Sequence, residues 1–358
     1  MKNLTDENNI KTVIITGGNT GLGYECAKEI ANDNTGDWHI VLACRNPEKA
    51  ASAVKRLVNE TGNKQIEAME LDLASLASVR GFAREFTERQ LPPLHAVVCN
   101  AGLQVVRGTT YTKDGFETTF GVNHLGHFLL VNLLLKDLTS PARIVFVSSD
   151  THDPSKKTPI PPPVFQDAEL LAHPKPDAKN ANLGTIGRTR YSTSKLCNIL
   201  CAYELSRRLQ TEQQDKEITV NAFNPGLMVG TGLGSDYSFP LRFVWNFILP
   251  ALGALGVKIR GNKLNNLDDS GKALARLVTD SQYAGITGKY FNIGLEIRSS
   301  EESYDRQKAL DLWERSAELV KLAPEETILS KEAKDLPPQT SDNKDANNQL
   351  KFPKLHTA

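Results

Sequence analysis

The sequence predicts an α/β fold, a parallel sheet wound with helices on both faces. Three observations predict it: short β-branched runs alternate with helical patterns over most of the 358 residues, a glycine turn follows the first run, and a hydroxyl pair ends the fifth. Hydrophobic residues make up 40% and charged residues 23%, the proportions of a soluble globular chain able to bury a full core. Lys plus Arg and Asp plus Glu both number 42, so no net field draws the chain to nucleic acid or to an anionic membrane. The five scattered cysteines (Cys26, Cys44, Cys99, Cys197, Cys201) form no Cys-x-x-Cys pair and read as reduced thiols in a cytoplasmic compartment. Residues 1–10 read as a polar arm with no apolar run of signal-peptide length.

Thr12-Val13-Ile14-Ile15-Thr16 is the first strand, and a helical pattern begins near Leu22. Between them Gly17, Asn19, Thr20, Gly21, Leu22 and Gly23 form a turn that aims helix N-terminal N–H groups at an anion such as a phosphate. Its spacing, Gly-x-x-x-Gly-x-Gly, differs from the common Gly-x-Gly-x-x-Gly. The second strand, His39 to Cys44, ends in Arg45-Asn46-Pro47, where Asn46 can cap and Pro47 open the next helix. A dinucleotide fold that takes NAD carries an acid at this strand end to hold the ribose hydroxyls. Arg45 stands there instead and suits a 2′-phosphate, hence NADP(H). A third strand, from Ala68 to Leu71, leads to Asp72-Leu73, where Asp72 either meets the adenine or caps a helix.

The fourth strand, Leu94 to Cys99, ends in Asn100-Ala101-Gly102, small residues that let the chain pass beside a bound cofactor. Phe116 to Leu138 is apolar with a helical period and carries Asn123, His124 and His127. Two histidines three apart without a third ligand read as packed or capping groups, and no metal is assigned. Arg143 to Val147 is the fifth strand, and Ser148-Ser149-Asp150 at its end places a hydroxyl in the crevice where open α/β sheets bind ligands. Residues 151–190 are polar and proline-rich, too long for a simple connection, and read as a structured insertion near the site.

Tyr191-Ser192-Thr193-Ser194-Lys195 then opens an apolar helix, so Tyr191 and Lys195 share a face. A free phenol titrates near pH ~10, and an ammonium beside it favours the phenolate. Such a tyrosine can exchange a proton with an oxygen while a hydride moves elsewhere. The pair alone is common on helix surfaces; its setting gives it meaning. Cys197 and Cys201, four apart in the same helix, read as packed.

Ile218 to Phe223 is the sixth strand, closing on Asn224-Pro225-Gly226 and, further on, Thr231. Residues 239–257 are the most apolar stretch, yet no run reaches the ~18–20 residues that span a bilayer. A lid (232–266) over an apolar substrate, peripheral membrane contact and plain core remain three readings of it. A helix over Ser270 to Val278, a short strand over Gly288 to Asn292 and a helix over Ala309 to Leu322 follow. The polar tail, 323–358, is expected to be disordered.

Taken together, the glycine turn, Asn-Ala-Gly after the fourth strand, Ser after the fifth and Tyr-x-x-x-Lys opening the next helix resemble the short-chain dehydrogenase/reductase family over residues 11–322. The resemblance implies a single-domain Rossmann fold, a doubly wound sheet of about seven strands. It implies Tyr191 as proton donor or acceptor, Lys195 holding the nicotinamide ribose, Ser149 (the second of its pair) orienting the substrate oxygen and Asn123 maintaining a proton relay. Gly17, Gly21, Gly23, Arg45, Asp72, Asn100 and the Pro225-Gly226 to Thr231 loop then map to the cofactor. Family members often form homo-oligomers through their two longest helices, here 116–138 and 191–209.

Ala-Cys-Arg-Asn at strand two, Asn-His-Leu-Gly-His-Phe at 123–128, Ser-Lys-Leu-Cys-Asn at 194–198 and the proline-rich insertion look like the branch holding retinol dehydrogenases and light-dependent protochlorophyllide oxidoreductases. Those photoenzymes carry a Cys after the Pro-Gly of strand six and an aromatic near the Asn-Ala-Gly turn. This chain has Leu227 and Gln104. The expected activity is NADP(H)-dependent hydride transfer to or from a carbonyl or alcohol of an apolar small molecule. Reduction of a carbon–carbon double bond and a non-catalytic dinucleotide-binding regulator are the rivals.

Overall fold

Strands covered on both faces need uninterrupted apolar runs, and β1 (Lys11–Thr16) supplies one: Val13, Ile14 and Ile15 are wholly shielded. The computed structural model describes residues 10–33, 38–226, 228, 258–259, 262–263 and 265–330. After β1 come α1 (Gly21–Ala31), β2 (Trp38–Cys44), α2 (Pro47–Thr61), β3 (Ile66–Glu70), α3 (Leu76–Glu88) and β4 (Leu94–Cys99). A short α4 (Thr118–Phe120), a π turn (Gly121–Leu125) and α5 (Gly126–Leu134) follow one another without a break and lead to β5 (Leu138–Val147). Next are α6 (Ala168–Ala172), α7 (Leu183–Glu212) and β6 (Ile218–Asn224), then the small hairpin β7 (Lys258–Ile259) and β8 (Asn262–Lys263). Last come α8 (Leu267–Thr279), β9 (Tyr290–Asn292), β10 (Leu295–Ile297) and α9 (Arg306–Leu319).

Eight strands form one sheet in the order β10-β9-β6-β5-β4-β1-β2-β3. All its pairings are parallel except β9 with β10, an antiparallel edge. The expected seven strands thus become eight, because β10 is three residues long with Leu295 and Glu296 exposed and gives no apolar signal. β1 lies between β2 and β4, so the winding reverses between β1 and β4, and a crevice opens at their C-terminal ends. One face of the sheet packs on α1, α2 and α8, the other on α3, α5, α7 and α9.

Several boundaries differ from the sequence reading. β5 begins at Leu138, paired with Leu94, where the pattern suggested a helix still running. α7 begins at Leu183, before Tyr191, with the Asn182 side chain accepting from the Thr185 N–H, so the proline-rich insertion ends about one helical stretch early. That insertion is pinned to α7: Ser192 Oγ donates to the Pro161 carbonyl at 2.7 Å, and Thr193 Oγ1 accepts from Val164 N at 2.9 Å. The ordered chain also passes residue 322. Glu326 pairs with Arg80 at 2.6 Å, Gln213 Nε2 donates to the Ile328 carbonyl at 3.0 Å, and Leu329 is buried.

Both long helices are packed within the chain. Every residue of α5 is buried, as is every residue from Tyr191 to Ser206 in α7. α9 supplies the cover: Trp313 meets Phe128 edge-on at 4.8 Å, and the Arg208 guanidinium lies 5.0 Å over the Trp313 ring. The five cysteines are free and buried, as packed thiols should be. Among the described residues no helix is long and apolar enough to cross a membrane. The N-terminal arm before residue 10, Thr231, the apolar stretch 239–257 and the tail beyond 330 lie outside the described residues.

Gly187 reports how closely α7 approaches the chain after β4, since a Cβ there would stand 1.9 Å from the Val105 carbonyl oxygen. Gly187→Ala is expected to destabilise the protein by about 1–3 kcal/mol through forced backbone displacement. Urea unfolding checks this; an unchanged midpoint would contradict the packing described.

Candidate active site

The glycine turn can approach a ligand because two of its residues take a left-handed backbone: Gly17 has φ +66 and Gly21 φ +58. Gly23 serves packing, since a Cβ there would lie 2.6 Å from Asn100 Nδ2 and 2.8 Å from the Gly17 carbonyl oxygen. Thr16, at the end of β1, ties this turn to the next. Its Oγ1 accepts from the N–H groups of Asn100 and Ala101, both at 2.9 Å, and Asn100 Nδ2 donates to the Thr16 carbonyl at 2.8 Å. From α2, Arg56 lies 4.4 Å over the Tyr24 ring and donates to the Asn19 carbonyl at 3.4 Å, bracing the turn from outside.

The far side of the crevice is built from β5 and α7. Lys195 is buried, and its Nζ donates to the Val147 carbonyl at 3.0 Å while lying 5.6 Å from the Tyr191 ring centre. Burial brings the Lys195 pKa down to about 8. Ser148 Oγ donates to the Lys195 carbonyl at 2.8 Å, locking strand to helix. Gly102 lies opposite, where a Cβ would sit 3.4 Å from Lys195 Nζ, an ordinary contact. Tyr191 is itself buried, so the Tyr-x-x-x-Lys pair belongs to the interior rather than to a solvated helix face.

A cavity of about 390 Å³ occupies the crevice. Gly17, Asn19, Thr20, Gly21 and Leu22 line one end; Arg45, Asp72 and Leu73 line another wall. Asn100, Ala101, Gly102, Tyr191, Lys195 and Pro225 complete the expected set that reaches it. Gly23, Gly226, Asn123 and Ser149 do not line it. For Gly23 the reason is the packing just described.

Asn123 is fully buried and clamps a loop: Oδ1 accepts from Leu103 N and Nδ2 donates to the Leu103 carbonyl, both at 2.9 Å, with a third bond to Ser194 Oγ at 3.0 Å. Ser149 lies one residue beyond the wall, where its Oγ donates to Asp150 Oδ1 and accepts from Thr151 N, both at 3.3 Å. Asp72 is no helix cap; Ser75 caps α3, while Asp72 accepts from Ala74 N at 3.1 Å and pairs with Lys113 at 3.0 Å. Asn46 does cap α2, accepting from Lys49 N at 2.8 Å.

Of the serine pair at the end of β5, Ser148 rather than the preferred Ser149 lines the cavity, and Thr16, the cavity residue Met228 and apolar wall residues such as Leu71, Leu103 and Val122 carry no site signal in the sequence. Thr16 was legible only as the last residue of a strand; nothing in its neighbours announces a hydroxyl with several partners. His124 and His127 face different partners, Ser316 Oγ and Thr16 Oγ1, both at 2.9 Å. Among the described residues no group of three or more potential metal ligands converges.

A model of the short chain dehydrogenase family matches residues 11–158, and a second, described as the AcuH dehydrogenase domain, matches 235–329. The WW domain-containing oxidoreductase of Gallus gallus is 36% identical over 321 residues, covering 87% of this chain and 68% of that protein. The chain belongs to the short-chain dehydrogenase family. The family binds nicotinamide dinucleotides, and its members are oxidoreductases. A protochlorophyllide reductase of Avena sativa is 35% identical across 87% of this chain and 100% of its own length; human retinol dehydrogenase 13 is 36% identical across 87% and 85%. A short-chain dehydrogenase from Shigella flexneri, solved with NADP, shares the fold with a TM-score of 0.55 at 21% identity, covering 81% of this chain and 100% of that one.

Lys195 generates a pH prediction. A bound dinucleotide's negative charge favours the ammonium, so binding draws in a proton once the free-state lysine is neutral. NADPH affinity is therefore expected to fall as pH rises above about 8, by up to about tenfold per unit. Titration by NADPH fluorescence from pH ~6 to ~10 checks this. Lys195→Met should lose the slope; an unchanged slope in that variant would assign it to another group.

Proposed function

We propose that the chain is an NADP(H)-dependent oxidoreductase that transfers hydride between nicotinamide and the carbonyl or alcohol carbon of an apolar small molecule. The observation that carries the reading is the buried Tyr191–Lys195 pair set into a glycine-walled crevice at the point where the sheet winding reverses. The crevice fits a dinucleotide on its own chemistry. Gly17 and Gly21 open the turn for a pyrophosphate at the start of α1, and Arg45 offers a cation at the end of β2.

Nicotinamide bound there supplies or accepts the hydride. The protein's part is proton transfer and charge. Tyr191 Oη gives its proton to the substrate oxygen in reduction and takes it back in oxidation. The ammonium of Lys195 favours the phenolate form that results, and it holds the ribose hydroxyls. Asn123 keeps the chain between β4 and α4 in place through Leu103. Two of the similar proteins, retinol dehydrogenase 13 and the polyprenol dehydrogenase of Danio rerio, carry apolar alcohols in their names, which supports the substrate class.

The likeness to protochlorophyllide reductase supports a second reading, reduction of a carbon–carbon double bond. Leu227 and Gln104, in place of that branch's cysteine and aromatic, weigh against it.

Tyr191→Phe is expected to abolish nearly all turnover while NADPH binding, read by fluorescence, stays within about threefold of the parent. Turnover left intact would overturn the proton-transfer assignment. Arg45→Ala should raise the Kd for NADPH at least about tenfold and leave that for NADH nearly unchanged. Equal effects on both cofactors would show that Arg45 does not meet a 2′-phosphate.

A further inference from the structure

His127 lies in α5, wholly buried, between the two chain segments that shape the Gly102 side of the crevice. Its Nε2 is 2.9 Å from Thr16 Oγ1, and its Nδ1 is 3.1 Å from the main-chain carbonyl oxygen of Asn123. These partners determine where the proton sits. A carbonyl only accepts, so Nδ1 carries the hydrogen. Thr16 Oγ1 already accepts two N–H bonds, from Asn100 and Ala101, and a hydroxyl has two lone pairs. The Thr16 hydroxyl must therefore donate, and Nε2 is the acceptor within reach at normal length; the alternative, the Val98 carbonyl, lies at 3.3 Å.

The imidazole is thus neutral, in one tautomer. Burial agrees, bringing its pKa down to about 4. An imidazolium would place an N–H against a hydroxyl oxygen whose lone pairs are already taken.

On its Nε2 side the ring orients Thr16, whose oxygen holds the N–H groups of Asn100 and Ala101. On its Nδ1 side it meets Asn123, whose amide holds both main-chain groups of Leu103. Gly102 stands between those two anchored segments, facing Lys195. We propose that His127 is a positioning residue of the cofactor site: as a neutral relay of hydrogen bonds between Thr16 and Asn123, it sets the shape of the Asn100–Leu103 turn that receives the dinucleotide.

The proposal rests on the crevice being the dinucleotide site, and wild-type protein that binds neither NADPH nor NADH would overturn that reading first. The test is a double-mutant cycle on NADPH affinity. His127→Leu removes both arms and is expected to raise the NADPH Kd about tenfold. At saturating NADPH, kcat should change less than about threefold, since the chemistry at Tyr191 is untouched. In a Thr16→Val background, where only the arm to the Asn123 carbonyl is left to lose, the same substitution should change Kd by clearly less than that, about threefold.

His127→Asn is the gentler variant. Asn132 Nδ2 already donates to the Phe128 carbonyl at 2.9 Å in the same helix, so an asparagine at 127 can keep the bond to Asn123 and lose only Thr16. Its Kd should also rise, even if the leucine variant fails to fold. Full multiplicative effects in the cycle, or wild-type NADPH affinity in His127→Asn, would overturn the proposal and leave His127 as packing.

Discussion

The carbonyl oxygen of Val147 is the fixed point of this site. It ends β5, and it accepts from Lys195 Nζ at 3.0 Å and Asn198 Nδ2 at 3.2 Å, while the next residue, Ser148, donates back to the Lys195 carbonyl. A buried ammonium without partners is expensive enough that it would titrate or pull the helix outward. These three bonds let α7 carry a lysine into the interior and set it beside Tyr191. The helix bearing the proton-transfer pair is thus registered against the strand that ends in the serines, and both are registered against the glycine turn through the sheet.

The insertion before α7 and the helix after the sheet serve the same constraint. α7 is shielded all round from Tyr191 to Ser206, so its polar side chains need partners that the sheet alone cannot give. Pro161 and Val164 of the insertion satisfy Ser192 and Thr193; α9 covers the outer face with Trp313, and the segment through Ser330 closes over Arg208.

Most of the sheet was readable from sequence because buried parallel strands must be apolar runs, and the glycine turn because glycine takes the left-handed backbone of Gly17 and Gly21 without steric cost. Asn46 and Pro47 announced α2 by capping chemistry that is purely local. What escaped is what depends on distant partners. β10 is short and half exposed and exists because β9 is there to pair with it. Leu138 turned from helix to strand because Leu94 stands opposite. Asn123 was placed in the site by resemblance, and only the fold shows that its amide is spent on Leu103. His127 read as packing, since its two partners, Thr16 and the Asn123 carbonyl, share no local pattern with it that names a role.

Hydride transfer from NADPH to a carbonyl is tested by following the hydride itself. Protein mixed in the dark with NADPH deuterated at nicotinamide C4 and a panel of apolar aldehydes and ketones is assayed by cofactor oxidation and by mass spectrometry of the product. Hydride transfer to a carbonyl requires dark oxidation of the cofactor with deuterium on the former carbonyl carbon. No dark turnover with any carbonyl, and deuterium entering protochlorophyllide only in a parallel illuminated sample of that pigment, would contradict it and establish double-bond reduction in its place.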